Sequence, residues 1–229
     1  MRKYVFLSKH QQSIVPNFIV DTFLFRYFCV ILQSHFHRKT HMETDKIIEQ
    51  AVKVLDSGGV IIYPTDTIWG LGCDATNPEA IERLCGIKRR DPEKSMLILC
   101  ADFDEVRKYV VQIPCAVEEY LLAQTRPTTV IYPQARNLPT SLVAADGSIG
   151  IRVPKSDFCQ RLLNKFGKPI VSTSANFAGE KPPANYHELD AKLVEQVDFL
   201  LPAECCDSHC HEGSRIVKIG EDGEFVVIR

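Results

Sequence analysis

At 229 residues, with 45% hydrophobic and 24% charged side chains, the chain is long enough to bury its own core and has the balance of a folded globular protein. Its 27 Lys and Arg against 29 Asp and Glu leave a formal net charge of −2 at pH 7, which excludes the broadly basic surface that tight binding to a phosphate backbone requires. The nine cysteines are scattered rather than spaced as a framework, so they read as reduced, mostly buried small hydrophobes of a cytoplasmic protein.

The charge is unevenly spread. Residues 1–41 hold six basic side chains (Arg2, Lys3, Lys9, Arg26, Arg38, Lys39) against the single acid Asp21, leaving 21 basic and 28 acidic side chains for residues 42–229. The apolar stretch FIVDTFLFRYFCVIL is broken by Asp21 and Arg26 and falls short of the ~20 apolar residues of a membrane span, so no transmembrane helix is expected. An acid-poor, Arg-containing segment leaves an organellar leader open. The plainer expectation is an N-terminal extension, disordered or upstream of a natural start at Met42, with residues 42–229 as a single domain.

From Met42 the spacing of Ile47, Ile48, Ala51, Val52, Val54 and Leu55 predicts a helix, with Thr44 as its N-cap and Gly58 as its stop. A strand over Val60–Tyr63 ends at Pro64, and the polar residues Thr65, Asp66 and Thr67 lead into a turn at Gly70 and Gly72. A helix is expected from Pro78 to Ile87, a strand from Met96 to Leu99, and helices near Asp104–Val110 and Pro114–Leu122. Strands at Thr129–Tyr132 and Ile149–Val153, a helix at Phe158–Phe166, a strand at Ile170–Val171 and a helix at Tyr186–Val194 follow. The last strands lie at Phe199–Leu201, Arg215–Ile219 and Phe225–Ile228. Interleaved helices and strands make this an α/β domain.

Four segments share one pattern, a short apolar strand with polar groups at its end: GVIIYPTDTIWG, GIKRRDPEKSMLIL, IGIRVP and PIVSTSANFAG. In layered α/β folds, strand ends are where ligands bind. If the stretch after Ile87 is extended, Lys88 and Arg90 leave one face together and can clamp a phosphate; the same run could equally be a solvated charge cluster after a helix. Ser174 and Asn176 share that spacing and offer neutral donors, while STSAN alone also suits a strand end and a helix cap. CCDSHCH crowds Cys205, Cys206, His209, Cys210 and His211 together, but adjacent ligands diverge and no second half-site completes a tetrahedron, so a surface loop without metal is expected.

Taken in order, YPTDTIWGLG, KRRDPEKSMLIL, RPTTVIYP, GIRVP and STSAN resemble the YrdC-type threonylcarbamoyl-AMP synthases, from about Val52 to the C-terminus. The resemblance implies a YrdC-like α/β fold, a twisted mixed sheet flanked by helices around a large concave cavity. It also implies a nucleotidyltransferase: L-threonylcarbamoyladenylate synthase, making threonylcarbamoyl-AMP and pyrophosphate from L-threonine, bicarbonate and ATP. The product would feed a tRNA threonylcarbamoyl-transferase complex that modifies adenosine in tRNA. By the same resemblance Lys88, Arg90, Ser174 and Asn176 form the catalytic set. Thr65 contacts threonine, Arg152 pairs with its carboxylate, and Lys94, Thr129, Ser214 and Arg229 contact nucleotide. Mg2+ would arrive with ATP, with no protein-held metal. Replacing Lys88 or Asn176 by Ala is expected to remove activity with little loss of stability. Two departures stand out: Ser95 replaces a usual Pro or Gly, and Arg215 replaces a Thr, which puts the local pocket in question. The rival reading is a non-catalytic protein of this fold that binds double-stranded RNA or tRNA, against which the acidic domain speaks.

Overall fold

Strand β1 (Ile61–Tyr63) shows how the sheet is built, because alternate side chains of one strand enter two different cores. Val60 and Ile62 pack with Trp69, Leu71, Ile98, Val130, Ile151 and Val171 on one face. Ile61 and Tyr63 pack on the other, against Ile48, Ala51 and Leu55 of helix α1 (residues 42–56) and against Phe158, Leu162 and Phe166 of a later helix, Asp157–Phe166. The structure is a computed structural model that describes residues 42–89, 96–206, 212–220 and 224–229. The expectations for residues 1–41, for Arg90, Lys94 and Ser95, and for His209, Cys210 and His211 therefore lie outside the described residues.

The remaining elements are β2 (Gly70–Gly72), α2 (Pro78–Lys88), β3 (Leu97–Leu99), α3 (Phe103–Tyr109), α4 (Ala116–Ala123), β4 (Thr128–Tyr132) and β5 (Ile149–Arg152). They are followed by α5 (Asp157–Phe166), β6 (Ile170–Ser174), α6 (Ala191–Val194), β7 (Phe199–Leu200), β8 (Arg215–Ile219) and β9 (Phe225–Val227). The nine strands form one mixed sheet in the order β7-β1-β2-β6-β3-β5-β4-β8-β9. Three parallel pairs (β1 with β7, β3 with β5, β4 with β8) are interspersed among five antiparallel ones, and the ends of β1, β5, β6 and β8 reach one region. Residues Lys46–Arg229 form one compact α/β unit.

Three sequence expectations need correction. Gly70–Gly72 is not a turn but a strand paired on both sides, to β1 and β6. Glycine suits it because neighbouring chains crowd in: a Cβ on Gly72 would lie 2.7 Å from Tyr63 Cε1 and 2.8 Å from Ile170 Cγ2. The helix expected over Tyr186–Val194 is instead a 3-10 turn, Tyr186–Glu188, and the short α6. Each is capped by its own side chain, Asn185 accepting from His187 N–H and Asp190 from Lys192 N–H, so the chain is twice restarted where one helix was expected. Residues 42–44 are already helical, so Thr44 does not cap α1.

Candidate active site

A concave cavity of about 780 Å³ opens where these strand ends meet, within the ~300–1,000 Å³ of ordinary ligand sites. One side is the segment after β1. Thr65 and Thr67 line it, and the Thr65 hydroxyl donates to Ile68 O at 2.7 Å and lies 2.8 Å from Thr67 Oγ1, which locks the turn after Pro64. The opposite side comes from β4 and β8. Thr129 and Ser214 line it and share a buried hydroxyl–hydroxyl contact of 2.8 Å, so each fixes the other's rotamer. Between them Gly150, Arg152, Ser172, Thr173 and Ser174 contribute from β5 and β6.

The charge on this wall differs from that of the chain. Among the described residues its lining side chains include Arg126, Arg152, Lys181 and Arg229 but only one acid, Glu212, in a protein of net −2. The walls of a cleft focus such a field, so the cavity attracts anions although the chain does not. Arg126 donates to Gly213 O at 3.0 Å and Arg229 to Ser214 O at 3.2 Å, gathering both guanidinium groups beside the start of β8. Arg229 packs so closely on Gly213 that a Cβ there would sit 3.0 Å from Nη2. Among the described residues no three His, Cys, Asp or Glu side chains converge, and Glu212 lies 3.4 Å from Arg126.

Lys88 occupies the far corner. It is not on an extended segment, as its spacing to Arg90 suggested, but is the last residue of α2, and Arg89 after it takes a left-handed conformation (φ 52°) that ends the helix. Only 3% of Lys88 is exposed. Its ammonium donates to Ser174 O at 2.5 Å and Asn176 O at 2.9 Å, with Ser174 Oγ at 3.3 Å and Asn176 Oδ1 at 3.4 Å. The Lys88 carbonyl in turn accepts from Ala178 N–H at 2.9 Å, and Arg89 stacks on the Phe177 ring at 4.5 Å. Helix α2 and the turn after β6 are thereby clamped together. The strand does not stay extended past Ser174: Asn176 N–H folds back to Ser174 O, and the Asn176 amide donates to Phe177 O and Glu180 O, each at 2.8 Å. Ser174 lines the cavity, whereas Lys88 and Asn176 stand behind it.

The structure thus brings Lys88, Ser174 and Asn176 into one cluster and places Thr65, Thr129, Arg152, Ser214 and Arg229 on the cavity wall. It settles the Arg215 question locally. Ser214 and Ile216 face the cavity, and Arg215, one residue out of phase, donates to Gln124 Oε1 at 2.6 Å on the other side. Sequence reasoning missed Arg126 and Lys181, although each lay beside a motif, in RPTT and in the GEKPP that follows STSAN. None of the seven described cysteines forms a disulfide, and burial pushes the pKa of Cys100 and Cys73 up.

Residues 53–229 match the Sua5/YciO/YrdC family model, whose description reads telomere recombination. The chain belongs to this family. Members similar to it include a threonylcarbamoyl-AMP synthase of Pseudoalteromonas translucida, 34% identical over 161 residues that make up 69% of this chain and 86% of that protein. One from Photobacterium profundum is 33% identical over 160 residues, again 69% of this chain and 86% of that protein. Among solved family structures, Escherichia coli YciO superposes with a TM-score of 0.66 at 28% identity, covering 80% of this chain and 88% of that one. Pyrococcus abyssi Sua5, solved in complex with L-threonine, gives 0.70 at 21% identity over 80% of this chain, a likeness of fold. The chain spans about half of that archaeal protein, 53% of its length. Among the described residues no helix is long and apolar enough to cross a membrane.

Proposed function

We propose that the protein is an L-threonylcarbamoyladenylate synthase that makes threonylcarbamoyl-AMP from L-threonine, bicarbonate and ATP. The observation that carries the proposal is a roomy cavity whose wall concentrates cations and hydroxyls, closed at one corner by the Lys88–Ser174–Asn176 cluster. The names of the relatives support the reaction class.

The reaction begins with the threonine amine and bicarbonate forming a carbamate with loss of water. A carbamate oxygen then attacks the α-phosphorus of ATP, and pyrophosphate leaves with the bonding electrons. Such a transfer asks the protein for alignment and charge neutralisation rather than for a covalent nucleophile. Arg126, Lys181 and Arg229 would neutralise the triphosphate. Arg152, beside Thr65 and Thr67, would pair with the threonine carboxylate. Ser174, presented by the turn that Lys88 holds, would orient phosphate oxygens, with Thr129 and Ser214 against the nucleotide. Arg90 and Lys94 keep their proposed phosphate and nucleotide contacts. Magnesium would enter on the triphosphate and offset its charge. The product would pass to a transferase that modifies adenosine in tRNA.

Incubation with ATP, labelled bicarbonate and a panel of amino acids tests the proposal. Threonine-dependent release of pyrophosphate is the expected result. A folded sample that consumes no ATP but binds RNA with a steep salt dependence would reject it in favour of an RNA-binding protein of the same fold.

A further inference from the structure

Among the described residues the buried Asp66 Oδ1 and Arg152 Nε have no hydrogen-bond partner, and the Tyr63 hydroxyl has none beyond a loose contact with Ser172. All three belong to one neighbourhood at the edge of the cavity, since Asp66 lies beside Arg152 and both act electrostatically on Tyr63. Buried polar atoms left open in a native fold are few and call for a cause.

The arrangement has a direction. Arg152 lines the cavity, as do Thr65 and Thr67, but Asp66 between them does not. Its carboxylate stands behind the guanidinium, with Oδ1 3.3 Å from Arg152 Nη2, and is itself anchored by accepting Lys155 N–H at 3.1 Å on Oδ2. Both side chains are almost fully buried, at 3% and 5% exposure. A buried ion pair with open geometry returns little of its desolvation cost, so stability alone is a poor reason for it. It fits better as a half-built site whose remaining guanidinium donors are to be met by a ligand.

We propose that Asp66 is a positioning residue for substrate, holding the Arg152 guanidinium from behind so that its other donors meet the carboxylate of the incoming amino acid. This rests on the synthase reading above and deepens it. With the site empty, Asp66 balances the buried cation; with substrate bound, Arg152 lies between two carboxylates, one from the chain and one from the ligand. Orientation is then set before binding, and the neutralised guanidinium does not hold any passing anion tightly.

The test uses the full-length protein and pyrophosphate release at saturating ATP and bicarbonate with L-threonine varied. Asp66→Asn keeps the shape and the acceptor for Lys155 N–H but removes the charge. It is expected to raise the KM for threonine by about tenfold, up to about a hundredfold, as small misplacements of binding groups do, with the KM for ATP nearly unchanged. Asp66→Glu restores part of the threonine KM. In an Arg152→Lys background Asp66→Asn adds little, because both act through one contact. Equal rises for threonine and ATP, additive effects in the double variant, or a lower Tm at unchanged KM would each overturn the proposal. Should Asp66→Asn not fold, Asp66→Glu carries the same readout, and a threonine KM equal to wild type rejects the role. Calorimetry of threonine with wild type separates the two levels. Wild type that neither binds threonine nor turns over ends the synthase reading and this inference with it; wild type that does both while Asp66→Asn matches it ends the inference alone.

Discussion

The two ends of the cavity use cationic side chains in opposite ways. At the Lys88 corner the ammonium is buried and its donors are spent on the Ser174 and Asn176 carbonyls, so its charge acts through the turn it shapes. At the Arg126–Arg229 wall the guanidinium groups touch single backbone carbonyls, and 42% of the Arg126 side chain is exposed. A saturated buried cation contributes to stability and geometry; a lightly tethered exposed one contributes affinity and salt dependence. The corner is part of the fold, and the wall keeps its charge at the cavity surface.

Substitutions can break or sharpen this contrast. The largest effect is expected for Lys88→Ala, which strips donors from buried carbonyls: activity falls to background, and unfolding in denaturant shows a loss of about 1–3 kcal/mol. That departs from the expectation drawn from sequence, that stability would be spared, because burial makes Lys88 a structural partner as well as a functional one. Asn176→Ala removes two amide donors from the Phe177 and Glu180 carbonyls and should cost about 1–2 kcal/mol by the same measurement. If either variant melts like wild type, the corner is not the clamp described here.

The wall should behave differently. Arg126→Ala is expected to leave stability within about 0.5 kcal/mol, as for most exposed sites. Its effect should appear as weaker ATP binding, with a shallower dependence on salt than wild type, read by titration at two ionic strengths. Loss of stability without loss of affinity would place Arg126 with the corner instead. The smallest effect belongs to Arg215→Thr, since this side chain reaches Gln124 away from the cavity: ATP affinity should not change, and a change would show that the alternation of β8 is misread.

Much of this molecule is legible in its residues. The periodicity of Ile48, Ala51 and Leu55, the alternation through Val60–Tyr63 and the polar ends of the strands follow from local rules that burial reinforces. The cavity-facing hydroxyls Thr129 and Ser214 stand in motifs, although their mutual contact, across 85 residues of sequence, is not visible there. Gly70–Gly72 was misjudged because glycine pairs are common in turns, and only the closeness of Tyr63 and Ile170 explains glycine inside a strand. The resemblance places Lys88 and Asn176 in one site, whereas the extended backbone expected around each is not the one they adopt. They meet through the end of a helix and a folded-back turn.

By itself the sequence determined the α/β class, the order of most elements and the residue types available for anion chemistry, because those depend on period, capping and composition within a few residues. Only the tertiary structure decided which cations face the cavity and which are spent on backbone, where Arg215 points, and that Asp66 stands behind Arg152. Those outcomes depend on distances between strands far apart in the chain, where burial and competing hydrogen-bond partners, rather than local preference, set the lowest free energy.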